Sequence, residues 1–222
     1  MKKIMFDDRF DLTQAVLNGG KTMTRRVIPP IEVDWVRRGV VTLPISSFKD
    51  GLLFMDTSSI LPDSSEYLAP AKYQPKYKVG EVVAIAQSYF ELGLEFVDHA
   101  DPTFKRKKVP QWGFTPRMKG WTNKMYVRAD VMPHQIRITD IRIERIQDIS
   151  NEDCIREGVF LDETAPPCYQ PFYTFPGSID HDTQVGYKTP REAFDALIKK
   201  LYGNKTWHAN PYVFVYTFEL VK

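Results

Sequence analysis

The sequence has little cysteine, no long apolar run and almost no excess charge. With only Cys154 and Cys168 in 222 residues, a disulfide framework is excluded. No apolar stretch approaches the ~18 residues that a membrane-spanning helix requires. The opening Met1-Lys2-Lys3-Ile4-Met5-Phe6-Asp7-Asp8 has two lysines, but its acidic residues interrupt any apolar segment, so it does not read as a signal peptide. These absences predict a soluble, cytoplasmic protein with no membrane partner. Thirty basic residues face 28 acidic ones, for a net charge of +2, which gives little reason to expect strong sequence-blind binding to nucleic acid. Local clusters remain at Arg25-Arg26, Arg37-Arg38 and Lys105-Arg106-Lys107-Lys108. Each has the charge to meet phosphate, although such a cluster more often forms a solvated loop.

Hydrophobic residues make up 43% of the chain and aromatics 13%. A chain of this length buries roughly 70% of the surface it exposes when unfolded, so a sizeable core is expected. Phe6, Phe10, Thr13 and Leu17 recur at helical spacing and Gly19-Gly20 follows, which predicts a short helix over about 9–18. Thr22 to Ile28 reads as extended, ended by Pro29-Pro30. A buried strand is expected over Val82 to Phe90. Ile136, Ile138, Ile141 and Ile143 step by two, then three, then two, so a strand through them must change faces near Thr139-Asp140, as at a bulge. Ser150-Asn151-Glu152-Asp153 resembles a capping box that opens a helix ending by Gly158. Thr189-Pro190-Arg191-Glu192 opens another, whose stripe is Phe194, Leu197, Ile198 and Leu201 and whose stop is Gly203. Tyr212 to Val221 is the final strand.

Residues at about 31–76, 91–123 and 159–188 show no sustained period and are expected to be long loop insertions. The order lacks βαβ alternation and internal repeats, and no linker divides two cores. A single α+β domain over 1–222 follows, with a curved, mostly antiparallel sheet and helices at its ends.

Four blocks carry a resemblance. Asn18-Gly19-Gly20-Lys21-Thr22-Met23-Thr24-Arg25-Arg26 resembles the Gly-x-Lys-Thr-x-Thr-x-Arg signature of ASCH domains. Lys78-Val79-Gly80-Glu81-Val82-Val83 is similar to that family's turn and strand, and Ile138 to Gly158 to its strand-then-helix element. Trp207-His208-Ala209-Asn210-Pro211-Tyr212 looks like the ending of an ASCH-like group common in phages and prophages. One departure is Ala84-Ile85-Ala86-Gln87, where that group carries Trp-Val-Arg-Glu. The resemblance implies a PUA-like β-barrel with a cleft for RNA or a nucleoside. One branch of the family hydrolyses the acyl amide of N4-acetylcytidine with a Lys, a Thr and a Glu, which fall here on Lys21, Thr24 and Glu157. The resemblance also nominates Gly20, Thr22, Arg25, Arg26 and Asn210 as contacts to RNA or nucleoside, and Trp207, expected in a loop just before Asn210-Pro211, is the candidate for stacking on a base.

The chemistry sets its own demands. Amide hydrolysis needs a nucleophile and a base to take its proton. Lys21 can be that base for Thr24 only if burial or neighbouring cations pull its pKa well below about 10.4. In a regular strand Lys21 and Thr24 would sit about 10 Å apart on opposite faces, so they converge only if the chain turns past Lys21 before the strand begins. A P-loop is excluded, because a helix precedes Gly19-Gly20-Lys21-Thr22 rather than following it. Cys154, Cys168, His181 and His208 fit no short metal-ligand pair, so neither metal nor cofactor is expected. Two functions stand: a module that binds RNA or a modified nucleoside, and an amidohydrolase acting on an acylated cytidine. A phage-type module that engages a protein partner through its loops is a third.

Overall fold

The computed structural model describes residues 1–35, 39–61, 66–92, 120, 122–163, 171–180, 183–184 and 186–221. The first half of the chain runs β1 (Lys3–Ile4), α1 (Leu12–Leu17), β2 (Met23–Val27), β3 (Ile31–Trp35), β4 (Gly39–Leu43), β5 (Ile45–Lys49), β6 (Leu52–Asp56), β7 (Glu66–Leu68) and β8 (Val82–Ile85). The second half runs β9 (Gln135–Arg145), α2 (Asn151–Arg156), β10 (Phe160–Asp162), β11 (Phe172–Thr174), β12 (Ile179–Asp180), β13 (Thr183–Gln184), α3 (Pro190–Tyr202), α4 (Asn204–Ala209) and β14 (Tyr212–Leu220). The protein is α+β.

The central sheet has five strands in the order β1-β8-β9-β14-β2; β1 is parallel to β8 and the other pairings are antiparallel. Its spine is β9 against β14, two strands rich in β-branched and aromatic residues. Their register shifts where Thr217 faces Asp140 and Phe218 faces Ile138, which leaves Thr139 unpaired. That is the bulge the isoleucine spacing predicts, and it keeps Ile136 and Ile138 fully buried.

The expected closed barrel is not formed. β1 is two residues long and pairs with β8 on one edge, the chain then turns at Asp8–Phe10, and among the described residues no ladder joins its other edge to β2. A side chain spans the seam instead: the Arg26 guanidinium donates to the Met5 carbonyl at 2.5 Å.

Helix boundaries follow their capping chemistry. Asp11, at φ +47°, separates α1 from the preceding turn and shortens the helix expected over 9–18. Thr189 accepts a hydrogen bond from the Glu192 amide at 3.2 Å, Pro190 is the first residue of α3, and the helix buries Ala193, Phe194, Leu197 and Ile198. Ser150 caps α2 by accepting from the Asp153 amide at 3.1 Å. The expected strand through Phe90 stops at Ile85.

The insertions expected at 31–76 and 159–188 are not structureless. The first folds into the β3–β4 hairpin and a β5-β6-β7 sheet, with Ile31, Leu43 and Leu53 in the core. The second contributes the β10–β11 and β12–β13 pairs. Most of 91–123 lies outside the described residues, with Trp112, Trp121 and the 105–108 basic run; so do Arg37, Arg38, Cys168 and His181. Among the described residues no helix is long and apolar enough to cross a membrane.

Candidate active site

Lys21 precedes β2 and does not belong to it. Gly19, at φ +75°, ends α1, and the Lys21 amide then donates back to the Ala15 carbonyl at 3.0 Å. Thr22 donates its amide to the Arg156 carbonyl at 2.9 Å. The chain is thus held in a turn between the ends of two helices, and strand alternation starts only at Met23. This is the bend that convergence of Lys21 and Thr24 demands.

Glu157 caps the end of α2. Gly158 follows at φ +105°, a conformation that favours glycine, and a Cβ built there would lie 3.6 Å from Lys21 Cβ. The lysine stem therefore runs against the α2 terminus. Its Nζ donates to the Glu157 carbonyl at 2.6 Å and to Glu157 Oε2 at 2.5 Å. The first bond satisfies a helix-terminal carbonyl and the second neutralises a buried carboxylate. Both residues are enclosed, at 3% and 4% exposure.

Arg25 holds the other carboxylate oxygen. Its Nη1 is 3.0 Å from Glu157 Oε1, and its Nη2 lies 2.5 Å from Glu144 Oε1 and 3.0 Å from Asp153 Oδ2. Arg142 closes the network, with Nε 3.1 Å from Glu144 Oε2 and Nη2 bonded to Asp153 Oδ2. The sheet register explains the gathering: Val215 pairs with Arg25 on one side and Arg142 on the other, so the two arginines share a row. Burial opposes the Arg25 charge, yet Glu157 and Glu144 outweigh it and its pKa is raised. The Lys21 pKa is lowered: burial is the largest cause, Glu157 opposes it, and Arg26 and Arg25 add to the lowering.

Thr24 and Arg26 lie on one face of β2, with Met23 and Arg25 on the other. Thr24 is 5% exposed, and among the described residues no group hydrogen-bonds its hydroxyl. It lines a cleft of about 420 Å³ together with Lys21, Arg26 and Glu157. Phe194, Leu197 and Ile198 of α3 supply apolar walling, and Asp8, Lys124 and Tyr202 are also in the lining. Lys124 is fixed there by Asp8 Oδ1 at 2.6 Å and Thr13 Oγ1 at 3.1 Å. The Tyr202 hydroxyl has its pKa raised, by burial above all.

The three expected catalytic residues therefore meet in one cleft, whereas several expected contacts do not serve it as binding groups. Arg25 reaches the lining, but its guanidinium is spent on three carboxylates, so it is a counterion and not a phosphate contact. Gly20 is exposed in the turn after α1, and Thr22 contributes backbone bonds only; neither lines the cleft. Trp207 lies in α4, not in a loop, with its ring edge-on to Phe194 at 6.2 Å. Asn210, at φ +45°, caps α4 and accepts from the Gln147 amide at 3.0 Å. Both pin the approach to β14. Arg26 alone of this group lines the cleft with a guanidinium free of carboxylates among the described residues.

Sequence reading missed Arg142, Glu144 and Asp153. In isolation, Arg142 and Glu144 alternate with isoleucines and resemble an ordinary solvated strand face, and Asp153 resembles the second half of a capping box. The available signal was the count of charges: Arg25 in a strand that carries no carboxylate required acidic partners from elsewhere. Among the described residues no group of three or more His, Cys, Asp and Glu side chains could hold a metal ion. Comparison with known proteins returns no matching family model, no matching curated protein and no matching solved structure.

Proposed function

We propose that this protein is an amidohydrolase that removes the acyl group from a small N4-acylated cytidine. The observation that carries the reading is the meeting of Lys21, Thr24 and Glu157 in a single cleft, with the amine buried and the hydroxyl unengaged among the described residues. A cavity of about 420 Å³ suits a nucleoside-sized ligand. The ASCH-like motif around Lys21 and Thr24 supports the same substrate class. An extended RNA strand is the weaker fit, because Arg25 is neutralised and the rim carries Asp7 and Asp8.

The proposed chemistry runs through the fraction of Lys21 that is neutral, a form that burial favours and the Glu157 carboxylate opposes. Both bonds of its Nζ go to acceptors on Glu157, which a neutral amine serves with two N–H groups, leaving its lone pair for Thr24. Lys21 takes the Thr24 proton as Oγ1 bonds to the acyl carbon. The C–N bond then breaks, and Lys21 returns that proton to the departing exocyclic amine of the cytidine. Water attacks the resulting threonyl ester and Lys21 takes its proton; the ester C–O bond then breaks, Lys21 returns that proton to Thr24 Oγ1, and the carboxylic acid leaves.

The test is release of cytidine and acetate from N4-acetylcytidine, followed by chromatography. Wild-type turnover that disappears in both Lys21→Ala and Thr24→Ala is the expected result. Turnover retained by either variant sinks the mechanism. Binding of the nucleoside without any turnover would leave the cleft as a recognition site only.

A further inference from the structure

A second cavity, of about 270 Å³, lies beside the cleft, and the two linings share Met5 and Arg26. Arg26 is thus the partition between them, held across the seam by its bond to the Met5 carbonyl. The second chamber differs in character. Tyr73, Tyr77 and Tyr216 wall it, and Arg26, Lys72 and Lys76 are its cations; among the described residues its lining contains no carboxylate. The three cations also have no carboxylate partner among the described residues. Lys72 Nζ sits 4.7 Å from the centre of the Tyr73 ring and Lys76 Nζ 5.5 Å from that of Tyr77. Such contacts position an ammonium without neutralising it. The nearby Glu81 is occupied by Lys2 at 3.1 Å. The tyrosine hydroxyls are engaged too: Tyr216 accepts from the Lys76 amide at 3.0 Å, Tyr73 accepts from the Glu32 amide at 2.9 Å, and Tyr77 donates to the Lys3 carbonyl at 2.9 Å. What the chamber offers a ligand is therefore aromatic surface and unopposed positive charge.

We infer that this chamber binds a phosphate, carried by the ligand whose base occupies the neighbouring cleft, so that the preferred substrate is a nucleotide and not the bare nucleoside. The assignment to a nucleotide rests on the proposed function; the phosphate site itself does not. Arg26, shared by both linings, joins the two halves by offering its guanidinium to the phosphate while its chain stays at the seam.

Three probes separate these claims by calorimetry on the full chain: inorganic phosphate, cytidine and cytidine 5′-monophosphate. Phosphate should bind the wild type. Lys72→Glu/Lys76→Glu should weaken it about tenfold or more, as expected for reversing two charges at short range, and 0.5 M salt should weaken it as well. The charge-matched control Lys188→Glu/Lys205→Glu, whose sites line neither cavity, should leave phosphate binding within twofold of wild type. Cytidine 5′-monophosphate should bind tighter than cytidine, and the Lys72→Glu/Lys76→Glu variant should bring that ratio towards one. Thermal melts of both double variants report whether each is folded. Phosphate binding that is absent, or equally weak in the control, overturns the site. Phosphate binding without any preference for the nucleotide overturns the link between the two cavities. Turnover of N4-acetylcytidine is a separate readout, so a failed hydrolase reading would leave the phosphate result standing.

Discussion

Replacing Glu157 by Gln removes the only carboxylate that pairs with Lys21 among the described residues. Arg25 keeps Glu144 at 2.5 Å and Asp153 at 3.0 Å, so the loss falls on the lysine. Breaking a buried ion pair by removing one partner costs about 3–5 kcal/mol, because the remaining charge is neither hydrated nor compensated. Lys21 retains the Glu157 carbonyl and gains a neutral amide oxygen, so the lower end, about 3 kcal/mol, is expected near neutral pH. For a chain of this size that corresponds to a fall in melting temperature of about 6–12 °C. The cost should also depend on pH. Burial already lowers the Lys21 pKa and Glu157 opposes the lowering, so the variant's lysine is pushed further down. Between its folded and unfolded pKa values the unfolded chain holds the additional proton, and stability rises with pH. The deficit relative to wild type should therefore shrink as pH rises from 7 towards 10, because the variant's folded lysine loses its proton at lower pH than the wild type's, while Lys21 in both unfolded chains stays protonated up to about pH 10. Urea unfolding across that range measures it. The double variant Lys21→Met/Glu157→Gln, free of the stranded charge, should be more stable than Glu157→Gln alone. A deficit that stays constant or grows with pH would refute the stranded-lysine argument.

Two further outcomes test the geometry around this pair. Gly158→Ala should cost about 1–3 kcal/mol, because an L side chain rarely adopts φ +105°. Its new Cβ would make ordinary contact with Lys21, so the cost should come from the backbone; unchanged unfolding midpoints would contradict this. Burial pushes the Cys154 thiol up to about 12, so iodoacetamide at pH 8 should leave the Cys154 peptide unlabelled until urea unfolds the chain. Labelling of that peptide under native conditions would place the thiol outside the core.

Elements whose local chemistry decides them were legible in the sequence. The cap and stripe of α3, the alternation of β14 and the stepping of the β9 isoleucines each fix their outcome within a few residues. The β3-to-β7 region was legible in principle too. Ile31-Glu32-Val33-Asp34 alternates apolar and acidic, and Asp50-Gly51 between β5 and β6 is a strong hairpin signal, seated at φ +51° and +75°. Proline and serine punctuation concealed both. The site divides along the same line. The diglycine-lysine-threonine motif and Glu157 could be nominated from sequence, but the carboxylates round Arg25 could not. Asp153 and Glu144 reach it from 128 and 119 positions away, Glu144 through the β2–β14–β9 register and Asp153 on α2, whose end is tied to the turn before β2 by the Thr22–Arg156 bond.

The open seam of the sheet is what leaves these residues beside a cavity. Closing the barrel would set β1 against β2, and the β2 backbone would then hydrogen-bond across the gap that Arg26 now spans with its side chain. Both cavities abut that gap, and the Thr24 hydroxyl opens into the larger of them. An exposed strand edge is ordinarily a liability that proteins blunt with charge or cover with a helix. Here Arg26 supplies the charge, and Phe194, Leu197 and Ile198 of α3 wall the larger cavity beside it. That arrangement leaves a cleft walled by apolar side chains, in which a lysine held on a glutamate can be both enclosed and within the same cavity as an unengaged hydroxyl. The seam that ends the sheet is thus the physical origin of the site.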